Sequence, residues 1–232
     1  MITMRWNSAE GAQKYHIDNY RSDGVRKQIG NPNQCQFHRA RYFIDQVEPN
    51  SKVLDVGCNG GTLGIHLINK DCHVNGIDIV KELVELAKRR GIYAEEGCAE
   101  DLSRYNDNSF DFVICGEVLE HLYDPYPAVE EAYRVLKPGG KYIFTVPHPS
   151  SFMCTDRLGD YHQQNFTLEI LDTMVHNFFK KGNATFAEIP YTERYNLSEG
   201  IEPIGKTDDG KYIYPPQWLG ITATKEEEED NA

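Results

Sequence analysis

A chain of 232 residues that is 40 % hydrophobic can bury the core of one sizeable domain and is too apolar to stay disordered. No apolar run approaches the roughly 18–20 residues that span a bilayer. The opening MITMRWNSAEG lacks the charged start and apolar middle of a signal peptide, so the expected location is the cytoplasm. A net charge of −12 argues against a protein that grips nucleic acid over a broad basic face, and six cysteines with no CxxC pair argue against a zinc cluster or a disulfide framework.

The first 50 residues read as an N-terminal helical cap. Residues 8–21 and 33–47 have helical apolar spacing, and seven Lys/Arg against five Asp/Glu make this segment locally basic. Arg21, Arg26, Lys27, Arg39 and Arg41 form either a solvated face or a local anion site. From residue 51 the pattern changes. SKVLDVG is a short buried strand, CNGGT a glycine-rich turn, and LGIHLINK opens a helix. CHVNGIDI is a second strand, and VKELVELAKRRG is a helix stopped by Gly91. IYAEEG and SFDFVICG are further strands, PAVEEAYRVLK a helix stopped by Pro138 and Gly139, and GKYIFTVP a fifth strand.

Strands alternating with helices predict an α/β fold with a mainly parallel sheet and right-handed crossovers, which put helices on both faces. After Pro147 the rhythm breaks into a long loop, then the amphipathic helix TLEILDTMVHNFFKK. Two closing strands, NATFAEIPYTERY and QWLGITATK, are separated by a polar insertion. One domain over 51–224 is the simplest reading, with 225–232 (KEEEED and the final residues) as a solvated acidic tail.

The segment VLDVGCNGG points to a nucleotide-like ligand. The strand ends in Asp55, and Gly57 and Gly60 flank a tight turn at its carboxyl end, where open α/β sheets bind nucleotides. The spacing is GxxGG rather than the GxGxxG of a dinucleotide site, and Asp55 would repel a pyrophosphate. Asp78, at the end of the second strand, either accepts both hydroxyls of a ribose or caps the following helix. Ala99, Glu100 and Asp101 in GCAEDL are candidates for an adenine edge.

Taken in order, DVGCNGG, GIDI, GCAEDL, FDFVICGEVLEHLYDP and VLKPGGKYIFTVP resemble the class I S-adenosylmethionine-dependent methyltransferases, with weaker likeness from about residue 33 to 224. The resemblance implies a Rossmann-like, seven-stranded, mostly parallel sheet whose last strand is antiparallel. It further implies that Asp55 and the backbone of Gly57, Cys58, Asn59 and Gly60 hold the methionine part of the cofactor. Asp78 would hold the ribose, Ile79 would pack on adenine, Glu100 or Asp101 would meet the adenine amino group, and Glu117 would line the pocket. Asn59 is unusual there.

The stretch Glu117-Val-Leu-Glu120-His121 adds a second constellation. Read as a helix, it puts Glu117 on one face with Glu120 and His121, a set that could bind Mg²⁺, Mn²⁺ or Zn²⁺. With His162 ahead of Phe166 and Thr167, it is similar to the ubiquinone-pathway O-methyltransferases and to the small-RNA 2′-O-methyltransferases. Metal-free relatives also carry the EVLEH string, so His121 is alternatively packed or a direct base. Without a metal, His148 or His162 is the better proton acceptor, because imidazole titrates near neutral pH.

The aromatics of the N-terminal segment and late loops, among them Tyr15, Tyr161, Phe166, Tyr195 and Trp218, suit a pocket for a flat ring or a sugar, or else cover the sheet. The expected activity is O-methylation of a small molecule or glycan hydroxyl. RNA 2′-O-methylation and a non-catalytic cofactor-binding module are the alternatives.

Overall fold

In the computed structural model the described residues are 8–20, 37–149, 151, 164–189, 205–206, 208, 212–213 and 216–227. Among the described residues two helices precede the sheet, α1 (Ala9–Tyr20) and α2 (Phe37–Ile44). Then follow β1 (Lys52–Val56), α3 (Thr62–Ile68), β2 (His73–Asp78), α4 (Lys81–Arg89), β3 (Tyr93–Glu96) and β4 (Phe110–Gly116). After a 3₁₀ turn at Leu119–His121 come α5 (Tyr126–Val135), β5 (Leu136–Pro147), α6 (Leu168–His176) and β6 (Ala184–Ile189). A two-stranded ribbon, β7 (Gly205–Lys206) and β8 (Tyr212–Ile213), precedes β9 (Trp218–Thr224).

Seven strands form one sheet in the order β3-β2-β1-β4-β5-β9-β6. The β1, β2, β3, β4 and β5 pairings are parallel, and β9 runs antiparallel to both its neighbours. This is the sheet that the family resemblance implies. The winding reverses between β1 and β4, which opens a crevice at their carboxyl ends.

Burial on both faces explains the continuous apolar strands. Val53, Ile114 and Ile143 point to one core with Phe43, Leu67, Val84 and Ala87 from α2, α3 and α4. Their neighbours Leu54, Val113, Tyr142 and Phe144 point to the other, with Ala128 and Val129 of α5 and Leu171 and Met174 of α6. α2 is held at its carboxyl end by Lys70, whose ammonium donates to Ile44 O at 2.6 Å and to Val47 O.

The structure moves two boundaries. The LKPGG segment, read as a helix end, is the irregular start of β5: pairing with β4 shifts between Phe110 and Phe112, and Gly139 adopts φ 75°. The acidic tail begins later than composition indicates. Lys225 donates to Asn108 Oδ1 and to the carbonyls of Tyr133, Arg134 and Leu136, capping α5, and Glu226 accepts from Tyr133 Oη at 3.1 Å. Arg21, Arg26, Lys27, most of the loop after Pro147 and the final five residues lie outside the described residues.

Candidate active site

Strand register brings the sequence-predicted groups to one edge. Asp55 is the penultimate residue of β1, beside Gly76 and Ile114, and the turn after the strand is pinned to β2 by Gly57 N and Cys58 N, which donate to Ile77 O at 2.8 and 3.0 Å. Gly57 has φ 74°, and a Cβ there would lie 2.3 Å from Val118 Cγ2, so the glycine is required by close approach of the loop after β4. Asn59 occupies the left-handed region at φ 52°, which Asn tolerates better than most residues. Its Oδ1 accepts from Gly60 N at 2.6 Å, which accounts for the unusual residue in backbone terms. Arg90 reaches back from beyond α4 and donates to Gly60 O at 2.6 Å, fixing the turn from outside. The Cys58 side chain is buried in the core, leaving only its backbone on the turn; burial and the neighbouring Asp55 and Asp78 push its thiol pKa up.

Asp78 combines both readings of its sequence position. Oδ2 accepts from Asn59 N and Oδ1 from Val80 N, each at 2.9 Å, so the carboxylate joins the glycine turn to the start of α4. Each oxygen keeps a second lone pair. Burial raises its pKa to about 6, against the lowering effect of the two backbone donors. Asp55 is 3 % exposed, with Oδ2 buried and without a hydrogen-bond partner. Burial, then the Asp78 charge, raise its pKa to about 7, while the Arg39 charge opposes them.

Beyond β3 the two candidate acids diverge. Glu100 turns inward: its Oε2 is buried without a partner, burial raises its pKa, and Gln13 of α1 bonds to its side chain. Asp101 turns outward; the Ser103 hydroxyl first, and then Ser103 N, which donates to it at 3.0 Å, lower its pKa. Ala99 is buried and Ile79, directly after Asp78, is half-buried.

The Glu117–His121 stretch differs from the helix read in the sequence. Glu117 N donates to Thr145 O at 3.0 Å, which extends the β4–β5 ladder by one residue, and Glu117 has φ 59°. Only Leu119–His121 is helical. Glu117 therefore shares no helical face with Glu120. Its Oε1 accepts from Thr145 Oγ1 at 3.0 Å and its Oε2 from Trp218 Nε1 at 3.1 Å, with Arg39 Nη1 3.7 Å from Oε1. Glu120 is 1 % exposed with neither carboxyl oxygen hydrogen-bonded, and His121 Nε2 stands 3.8 Å from its Oε1. Burial, with the Glu117 charge second, raises the Glu120 pKa well above the usual carboxylate range. Among the described residues no three His, Cys, Asp or Glu side chains are grouped to hold a metal ion.

His148 follows β5. Its N–H donates to Gln217 O at 2.8 Å, Ser151 N donates to His148 O at 2.8 Å, and its Nε2 lies 3.6 Å from Glu188 Oε1. His162 and the aromatics Tyr161 and Tyr195 lie outside the described residues, whereas Phe166 and Trp218 are core residues, 3 % and 1 % exposed. Thr145 was not singled out by sequence, and Arg39 was read only as one of a basic N-terminal set, either a solvated face or a local anion site. An arginine in an amphipathic helix gives no local sign that it faces a buried carboxylate.

Residues 54–144 match the family model described as a methyltransferase domain. That match runs from β1 to β5 and includes the glycine turn and Asp78. The chain is similar to the ubiquinone biosynthesis O-methyltransferase of Xanthomonas oryzae pv. oryzae, 35 % identical over 132 residues, covering 53 % of this chain and 54 % of that one. It is similar also to the protein of that name from Hahella chejuensis, 36 % identical over 123 residues, covering 48 % and 51 %. The chain thus spans about half the length of the curated relatives it matches. Among solved structures, a Thermotoga maritima S-adenosylmethionine-dependent methyltransferase described as a possible histamine N-methyltransferase has TM-score 0.68 at 20 % identity, covering 91 % of this chain and 99 % of that one. A methyltransferase from Archaeoglobus fulgidus has TM-score 0.68 at 18 % identity with the same coverages. At these identities the structures establish the fold. Among the described residues no helix is long and apolar enough to cross a membrane.

Proposed function

We propose that the protein is an S-adenosylmethionine-dependent methyltransferase whose acceptor is a hydroxyl group of a small molecule. The observation that carries the reading is the row of carboxylates Asp55, Asp78, Glu100 and Glu117, placed at or just beyond the carboxyl ends of β1, β2, β3 and β4. The vacant hydrogen-bonding capacity of that row matches the cofactor. Asp55 has a buried oxygen without a partner, suited to an ammonium group. Asp78 keeps lone pairs for two ribose hydroxyls, and Glu100 has a buried oxygen for an adenine amino group. Arg39 is the cation beside Asp55 and Glu117, and its planar fork suits the cofactor's carboxylate.

When bound, the cofactor supplies an electrophilic methyl on a sulfonium. The chain's work is then to fix geometry and exclude water, and positioning of this kind is worth on the order of 7–11 kcal/mol in favourable cases. Glu120 and His121 are assigned to the acceptor side. A buried carboxyl with both oxygens unengaged can hydrogen-bond an incoming hydroxyl. His148, whose Nε2 lies 3.6 Å from Glu188 Oε1, is a second candidate to take the acceptor proton. The four-residue metal set of Glu117, Glu120, His121 and His162 fits less well. Glu117 already accepts from Thr145 and Trp218 and pairs with Arg39, which leaves Glu120 as the carboxylate with capacity, and no step is assigned to a metal. The names of the similar proteins support a hydroxyl acceptor.

Calorimetry with S-adenosylhomocysteine and with NAD⁺ tests the cofactor. Binding of the first alone is expected, and binding of NAD⁺ alone overturns the reading. Transfer of labelled methyl to catechol and to a short RNA tests the acceptor, and transfer to the RNA alone would replace the small-molecule hydroxyl with a ribose one.

A further inference from the structure

We propose that Trp218 is a positioning residue for the cofactor: by holding Glu117, it sets the Arg39 guanidinium over the groove that receives the cofactor's amino-acid end. The inference rests on the assignment of Arg39 to the cofactor's carboxylate made above.

Glu117 is built into the fold at some cost. It is a non-glycine residue at φ 59°, and its carboxylate is largely withdrawn from water. Thr145 Oγ1 donates to one of its oxygens and Trp218 Nε1 to the other. Those two donors come from strands β5 and β9, which are paired to each other over Lys141–Pro147 and Trp218–Thr224, so they form a rigid seat. The seated carboxylate faces an arginine on the N-terminal side of the sheet. Arg39 belongs to α2, an eight-residue helix, and its guanidinium stands 3.7 Å from Glu117 Oε1 while also acting on the charge of Asp55. The Glu117 carboxylate has a fixed neutral donor on each oxygen and the Arg39 guanidinium as its cation. Its remaining partner is the arginine, which it can orient through charge.

A second contact links the same two elements. Tyr42 Oη lies 3.1 Å from Thr222 Oγ1, so α2 is tied to β9 one turn further along from Arg39. The antiparallel strand at the far end of the chain thus sets the N-terminal helix in place. Trp218 is the point where that support reaches the charged groups. Trp218 is 1 % exposed, and its indole N–H donates to Glu117 Oε2 at 3.1 Å.

The test is a double-mutant cycle on full-length protein, with S-adenosylhomocysteine affinity read by calorimetry. Trp218→Phe keeps an aromatic ring and removes the donor; Thr145→Val, a near-isostere, removes the donor to the other oxygen and serves as a second route should the first variant be poorly folded. Arg39→Ala is expected to weaken binding by about 10- to 100-fold, the range of a lost charge-assisted hydrogen bond. Trp218→Phe is expected to weaken it by about fivefold to tenfold in the wild-type background and by less than about twofold in the Arg39→Ala background. 5′-Methylthioadenosine, which lacks the amino-acid end, should bind wild type and Trp218→Phe alike, whereas mere loosening of the fold would weaken both ligands. Equal losses for the two ligands, or losses that simply add in the double variant, overturn the role of Trp218. An Arg39→Ala variant with undiminished affinity overturns the assignment of Arg39 itself, so the two failures are distinguishable.

Discussion

Replacing Asp55 by Asn should remove a pH dependence that the ligand-free protein carries. The Asp55 carboxyl is buried at the end of β1, with one oxygen unpartnered and Asp78 as a neighbouring acid. Burial raises its pKa from 3.8 to about 7. A group whose folded pKa lies above its unfolded value stabilises the fold fully below the unfolded pKa, and that contribution is lost as pH rises through the folded one. Wild type should therefore lose stability between about pH 4 and pH 8. Three pH units correspond to a ceiling of about 4 kcal/mol at 1.36 kcal/mol per unit, and relaxation around Asp55 will reduce it. Asp78 titrates in the same direction at about 6, so the informative quantity is the difference between wild type and Asp55→Asn. Urea melts at pH 5 and pH 8 measure it. Between these two values the variant should gain on wild type by up to about 2.7 kcal/mol, because only about two of the three units fall above pH 5. Saturating S-adenosylhomocysteine should shrink the gap, because an ammonium beside Asp55 favours the charged form. Parallel profiles for the two proteins would refute the claim that burial of Asp55 and the Asp78 charge outweigh the opposing charge of Arg39.

Other expectations concern single contacts. Asp78→Ala should weaken cofactor binding by about 1–3 kcal/mol, and calorimetry that finds unchanged affinity would leave Asp78 as a cap for α4 only. Glu120→Gln should lower kcat while leaving S-adenosylhomocysteine affinity and Tm near wild type, since the buried acid has no hydrogen-bond partner to lose; full activity would take Glu120 out of the acceptor site. Lys225→Met should lower stability by about 1–3 kcal/mol, because the carbonyls ending α5 lose their cap. A thermal melt unchanged from wild type would return Lys225 to the solvated tail.

The elements of the sheet were readable because their signals are local. A strand buried on both faces is a short apolar run, and a crossover helix announces itself by spacing and by a stop such as Gly91. The glycine turn after Asp55, and Asp78 at the end of the next strand, were readable for the same reason. The EVLEH stretch misled for the opposite reason. Its spacing fits a helical face, but a hydrogen bond from Glu117 to Thr145, 28 residues away, keeps the chain in the ladder for one residue more.

Asp55, Asp78 and the glycine turn between them were determined by the sequence alone, since strand ends and turns are set by residues next to each other. What each carboxylate does was decided by tertiary structure. Glu100 turns in and Asp101 out because one meets Gln13 of α1 and the other its own backbone at Ser103. Glu117 is seated by Trp218, 101 positions further along the chain, and faces Arg39 from a helix laid down before the first strand. Electrostatic and hydrogen-bonding partners are chosen by distance in space, and only the folded sheet brings these residues within reach of one another.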